Sequence, residues 1–271
     1  THHSAMSSNY PLLNYKNYAN LDQLSQLIKP FVLQRKKKLI LNLPPKIRKN
    51  HQVNLSKKQQ RGFDYRINLA IDSYRFRADK IETSSEAEAL VLLTSFRQIS
   101  AEFKLFSVIK LLSQIGYNQP VVLFSNFLKP LYLLKRCLKS TLLTGQQSIK
   151  ERIAIVEEFQ NGNINLLLST YKTAGYGYTL HKANHIILLD RPWSPGDLDQ
   201  AEDRCHRLGM NSALFSHWVQ LGFADKFVDS IISNKEDNIN ILFGKRRIEI
   251  TRKSLPIMIN SFITQILNLH N

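Results

Sequence analysis

Four short, continuous apolar runs constrain this chain more than anything else in it: VVLF (121–124), STLL (140–143), INLLL (164–168) and HIILLD (185–190). None alternates apolar with polar residues, so each reads as a strand buried on both faces. Helical stretches fit about 128–138 and 147–160, between the first three runs. Strands that alternate with helices form βαβ units, which need a parallel sheet with helices on both faces. The predicted fold class is therefore α/β. The connection from 168 to 185 reads as a glycine-containing loop instead of a full helix, and LFSHWVQ (214–220) offers a further strand. Upstream, 21–33 reads as a short helix with Pro30 near its end, and QRKKKLILNLPPK is forced extended by Pro44 and Pro45. KIRKNHQVNL reads as an exposed strand, and Ser56 caps a basic helix over about 57–77. Further helices are predicted at 86–97, 100–115, 222–234 and about 254–268.

The 271 residues, 43% of them hydrophobic, suffice for a sizeable core. A formal net charge of +16 predicts an anionic partner, most often nucleic acid. No run of about 18 apolar residues is present, so no membrane span is expected. Two cysteines, Cys137 and Cys205, make neither a disulfide framework nor a zinc site, and no metal site is predicted. A reducing compartment follows. The opening THHSAMSS has the look of a cut affinity tag and cloning scar, so residues 1–10 are left out of fold reasoning.

RPWSPGDLDQAEDRCHRLGM (191–210) carries the strongest local chemistry. Ser194 is a good N-cap, Pro195 suits the first helical position and Asp197 completes a capping-box spacing. With Gly209 closing the far end, the predicted helix covers about 195–208. Leu198, Ala201, Cys205 and Leu208 form an apolar stripe, and Gln200, Arg204 and Arg207 form a second stripe beside it. Paired guanidiniums suit phosphate oxygens, which they engage bidentately without losing charge. The plain alternative is a solvated face in which Asp203 pairs Arg207 at i, i+4.

In parallel α/β sheets ligands sit beyond the carboxyl ends of the strands. The candidate surface is therefore the loops that hold Ser125 and Asn126, Thr144 and Gly145, STYKTAGYGYTL (169–180) and RPWSPGD (191–197). Gly175 and Gly177 allow close backbone approach, and Thr170, Lys172 and Thr179 add donors that suit phosphate.

Taken in order, these segments resemble the second RecA-like lobe of Snf2-type ATPases, the DNA translocases of helicase superfamily 2. LIKPFVLQRKKKLILNLPPK is similar to the segment that enters that lobe, with Gln34 where the family has the first Arg of a pair. VNLSKKQQ and SFRQIS resemble the segments that follow, and VVLFSNF resembles motif IV. LLTGQQSIKERIAIVEEFQ resembles the glycine turn and helix after it. STYKTAGYGYTLHKANHIILLDRPWSP resembles motif V with its following strand, and QAEDRCHRLGM resembles motif VI. Met210 replaces the usual last Gln of that motif, and Thr173-Ala174 stands where the family has Ala-Gly.

The resemblance implies a RecA-like lobe over 81–245, entered through a basic connector and helical segment at 11–80 and followed by a basic helical tail at 246–271. It implies that Arg204 and Arg207 are catalytic arginine fingers, with Gln200, Asp203, Gly175 and Gly177 at the ATP. Ser125, Asn126, Thr144, Gly145, Thr170 and Lys172 would face double-stranded DNA. The implied cofactors are ATP and Mg2+, held mainly by a first lobe. The chain contains no G-x-x-x-x-G-K-[ST] and no apolar strand ending in Asp-Glu, so the chain alone is expected to be an inactive monomer that needs its N-terminal RecA-like lobe. The expected location is the cytoplasm of a bacterium, at the nucleoid, or the nucleus if the source is eukaryotic. Two other readings are a free-standing basic nucleic-acid-binding module without ATPase activity and an RNA helicase lobe. RNA helicases of the superfamily usually carry Gly before the first Arg, unlike DRCHRLG (203–209).

Overall fold

The computed structural model describes residues 21–32, 41–78 and 86–242 and the isolated position 264. Six strands form one sheet: β1 (Lys46–Gln52), β2 (Val121–Ser125), β3 (Thr141–Leu143), β4 (Leu166–Thr170), β5 (His185–Leu188) and β6 (Leu214–Gln220). Their order across the sheet is β1-β6-β5-β2-β4-β3, and every neighbouring pair is parallel. The central register sets Leu123 between Leu168 and Ile187. These are the unbroken apolar runs of the sequence, because both faces of the middle strands are covered.

Alternate residues of these strands feed two cores. Val121, Leu123, Leu166, Leu168 and Ile187 meet Val108, Leu111 and Leu112, together with Leu131 and Leu134. The first three partners lie on the helix Leu105–Ile115 and the last two on Leu128–Cys137. On the other face Val122, Phe124, Leu167, Ile186 and Leu188 meet Phe159 of the helix Ile149–Asn161 and Leu198, Ala201 and Cys205 of the helix Pro195–Cys205. A third cluster joins Phe63, Ile67, Ile71 and Tyr74 to Ala89, Leu92, Leu93 and Phe96. Its spacing of three to four residues is that of one helical stripe on each partner, Lys57–Ala78 and Glu86–Phe103. Leu21–Ile28, Tyr171–Ala174 and Gly222–Leu242 complete the helices, so in chain order they are α1 (21–28), α2 (57–78), α3 (86–103), α4 (105–115), α5 (128–137), α6 (149–161), α7 (171–174), α8 (195–205) and α9 (222–242).

Several elements differ from the sequence expectation. The strand read as exposed is present and largely exposed, but it ends at Gln52 and forms the sheet's edge, β1, paired only with β6 among the described residues. Its Lys, Arg, Asn and His residues suit that position, since an edge strand needs no apolar run. Residues 86–103 are one helix, and the break from α4 comes at Lys104. That side chain is fully buried, with Nζ 2.7 Å from the Leu189 carbonyl and 2.6 Å from Asp225. The glycine loop contains the single-turn α7, and α9 runs to Leu242. The helix expected at about 254–268 and the residues assigned to a tag lie outside the described residues, apart from helical position 264.

Helix α8 ends at Cys205, three residues early. Leu208 therefore leaves the apolar stripe and is 65% exposed, while Met210 takes a buried place in the same core. Gly209, at φ 101°, turns the chain between them. The Ser194 hydroxyl makes no cap hydrogen bond; the helix starts instead from its main-chain carbonyl, which accepts from the Leu198 amide at 3.2 Å. The capping box forms at α6, where Ser148 and Glu151 satisfy one another's backbone amides.

Candidate functional site at the carboxyl edge

The strands β2, β4 and β5 deliver their carboxyl ends to one edge, and two polar groupings stand there. The first surrounds Asp190, which is 2% exposed. Its carboxylate accepts from the Ser125 hydroxyl, from the Asn126 backbone amide at 2.9 Å and from the Asn126 side chain. Arg97, also 2% exposed, lies 3.8 Å from it and donates to the Arg191 carbonyl. The Arg97 guanidinium stacks over Trp193 at 4.4 Å. The Tyr171 hydroxyl donates to the Asp190 carbonyl at 2.6 Å, and burial with the adjacent Asp190 charge pushes the phenol well above its ordinary pKa. The Asp190 carboxylate and the groups around it are thus spent on one another.

The second grouping is Arg204 on α8 with Arg207 just past the helix end, off the helical stripe expected to carry both. Arg204 donates from Nη2 to the Gly175 carbonyl at 3.4 Å, a long contact, and its Nε is buried without a partner among the described residues. Arg207 lies beyond the helix end. It is anchored by Nε to the Asp203 carbonyl at 3.1 Å and by Nη1 to the Thr179 hydroxyl at 3.1 Å. Burial and the Arg207 charge lower the Arg204 pKa, against the pull of Asp203. Two cations thus stand together with a buried donor unspent, which favours an anion between them. Leu41, Thr179, Asp203, Arg207 and Leu208 line an open groove of about 410 Å³. Gly177 has φ 87°, and a Cβ there would stand 3.8 Å from the Arg204 guanidinium, so the loop runs against the arginine. Gly175, just past α7, keeps helical dihedrals, but a Cβ on it would press the Lys172 carbonyl at 3.0 Å.

The other sequence-predicted residues divide by exposure. Gln200, Lys172, Asn126 and Gly145 are exposed, and a Cβ at Gly145 would meet nothing within 4 Å. Thr170 is half-buried and pairs with the Thr173 hydroxyl at 2.9 Å. Ser125 and Thr144 are buried, and Thr144 engages Gln147 through both its amide (2.8 Å) and its hydroxyl (3.0 Å). Among the described residues no group of His, Cys, Asp or Glu is placed to hold a metal ion.

Sequence reasoning passed over Glu202, fully buried between Gln200 and Arg204. Lys46 reaches it at 2.7 Å, Arg48 at 2.7 Å through Nη2, and the Ser216 hydroxyl at 2.7 Å. Burial pushes its carboxyl up, but the bonds to Arg48 and the Lys46 charge outweigh this and hold it below the usual range. Its basic partners lie more than 150 positions away, so no local spacing announces them.

Two family models match the chain. The one described as "Helicase conserved C-terminal domain" matches residues 103–209, and that described as "SNF2-related domain" matches 5–105. The chain belongs to the Snf2 family. This Snf2-family lobe is 27% identical over 254 residues to YwqA of Bacillus subtilis, by name a candidate ATP-dependent helicase/translocase, covering 83% of this chain and 27% of that protein. It is 24% identical over 219 residues to the human DNA annealing helicase and endonuclease ZRANB3, covering 77% of this chain and 20% of that one. The chain therefore spans about a quarter or less of these relatives' length. The Sulfolobus solfataricus SWI2/SNF2 ATPase core in complex with dsDNA superposes with a TM-score of 0.56 and 25% identity, over 83% of this chain and 52% of that one. The all-parallel, helix-flanked sheet is the RecA-like fold of the Snf2 C-terminal lobe.

Proposed function

We propose that this lobe is half of an ATP-dependent double-stranded DNA translocase, and that Arg204 and Arg207 reach the phosphates of ATP carried by an N-terminal RecA-like lobe. The observation that carries the reading is the pair of neighbouring guanidiniums with the buried, unspent Nε of Arg204. Bound ATP supplies a phosphoryl group whose transfer to water spreads negative charge over its oxygens. Arg204 and Arg207 meet that charge with planar, permanently charged donors. The carbonyls of Gly175 and Asp203 and the hydroxyl of Thr179 hold the two forks in place. Gln200, exposed on the same flank, orients the nucleotide, and Gly177 keeps the adjoining backbone close. The ligands of Mg2+ belong to the other lobe.

Duplex DNA lies along the rim formed by Asn126, Gly145, Thr170 and Lys172, with Ser125 and Thr144 bracing that rim from beneath. The charge of +16, and the dsDNA carried by the Sulfolobus SWI2/SNF2 core, support this side of the reading. The 271-residue chain, which has no phosphate-cradling G-x-x-x-x-G-K-[ST], is a folded monomer that hydrolyses no ATP by itself.

The test is DNA-stimulated ATP hydrolysis by the full-length protein that carries this region. Arg204→Ala and Arg207→Ala are each expected to lower kcat by on the order of 10³–10⁵ while DNA affinity is kept. Near wild-type turnover in both variants would overturn the assignment.

A further inference from the structure

The segment by which the chain enters the sheet lies along the flank of α8. Leu41 lines the groove beside Arg207 and Leu208. The Pro44 carbonyl accepts from His206 Nε2 at 2.7 Å, just past the helix end. Lys46 reaches Glu202 at 2.7 Å and Asp203 at 4.0 Å. Arg48 reaches Glu202 at 2.7 Å and Asp199 at 3.1 Å, a turn nearer the helix start. The other side of Glu202 is closed by Ser216, which is itself held by Trp218 Nε1 at 3.1 Å. A buried carboxylate cannot leave such partners without exposing an unpaired charge to the interior. The rotation of α8 about its axis is therefore tied to the placement of β1.

We infer that Lys46 and Arg48 are positioning residues for Arg204: through Glu202, two residues before it, they fix the face that α8 turns to the nucleotide. A shift of the entering segment then shifts the arginines. This inference rests on the arginine-finger reading, and its test separates the two.

The first measurement uses the chain itself. Cys205 is buried in α8 and burial raises its thiol pKa, while Cys137 is exposed and the chain holds two cysteines in all. In a Cys137→Ser background, the rate at which an aromatic disulfide labels Cys205 reports opening of α8. The pair Lys46→Met/Arg48→Met is expected to speed labelling roughly tenfold or more, beyond what its global unfolding by circular dichroism accounts for, and Lys46→Arg to restore slow labelling. If the double variant does not fold, Arg48→Gln, which keeps Lys46, serves in its place.

The second measurement uses the full-length protein. The same variants are expected to lower kcat by on the order of 10²-fold at unchanged KM for ATP, and to cost nothing further once Arg204→Ala is present. Labelling that merely follows global stability, or an equal loss of kcat with and without Arg204, would overturn the inference. Full turnover by Arg204→Ala would instead overturn the finger reading on which it stands.

Discussion

Two polar groupings share the carboxyl edge of this sheet, and they differ in what is left over. Around Asp190 the donors and acceptors meet one another: Ser125, Asn126, Arg97 and Tyr171 all turn toward that residue or the chain beside it. At the arginine pair two cations stand side by side, one with a buried nitrogen unspent. The sheet places both groupings where a ligand would bind. Internal satisfaction marks the first as framework, and residual donor capacity supports the proposal that the second takes an anion.

Substitutions can break or sharpen that contrast. Asp190→Ala leaves Arg97 buried without its carboxylate and is expected to cost about 3–5 kcal/mol in urea unfolding, whereas Arg204→Ala costs far less. Equal costs would erase the distinction. Ser125→Ala is expected to lose about 1–3 kcal/mol of stability with DNA affinity unchanged, as measured by titration of a fluorescent duplex; weakened binding in a fully folded variant would move Ser125 from framework to contact.

A third internally paired region offers a pH test. His51 Nε2 lies 2.9 Å from His217 Nδ1, and His217 Nε2 lies 3.0 Å from His185 Nδ1. Burial first, then His185, His51 and Lys49, push His217 down to about 3, and burial with Lys49 lowers the other two. The unfolded chain takes up its proton near the ordinary histidine value while the folded chain resists it. The stability contributed is complete above about pH 6.5 and lost as pH falls toward 3, at up to about 1.4 kcal/mol per pH unit per proton. Thermal midpoints between pH 7 and 5 should fall, and His217→Gln should flatten that fall; an unchanged slope would count against the ladder. The smallest expected effect is Lys172→Ala, within about 0.5 kcal/mol of stability. It should lower the salt dependence of duplex binding by about 0.9 in log–log slope for one lost phosphate contact. An unaltered slope would take Lys172 off the DNA rim.

The sequence shows the middle of the sheet plainly, because strands covered on both faces must be continuously apolar, as VVLF and INLLL are. It shows Gln200 and Arg204 one helical turn apart on α8, but not that Arg207, expected on the same stripe, falls past the helix end. It shows β1 as an exposed strand but not its place beside β6, nor the Glu202 pairs, which join residues far apart in the chain. Nor can spacing tell a hydroxyl that faces a ligand from one that faces a buried carboxylate. Ser125 sits where contact was expected, yet it turns inward to Asp190. Leu208 fits the apolar periodicity, but the helix carrying it ends at Cys205.

The central claim, that the fork of Arg204 is held ready for phosphate rather than for the fold, is tested most directly by Arg204→Lys in the full-length protein, with the thermal midpoint and DNA-stimulated kcat measured on the same preparation. An ammonium keeps the charge but cannot form the planar fork. The expected result is an unmoved midpoint with most of kcat lost; a variant that keeps near wild-type kcat would contradict the account.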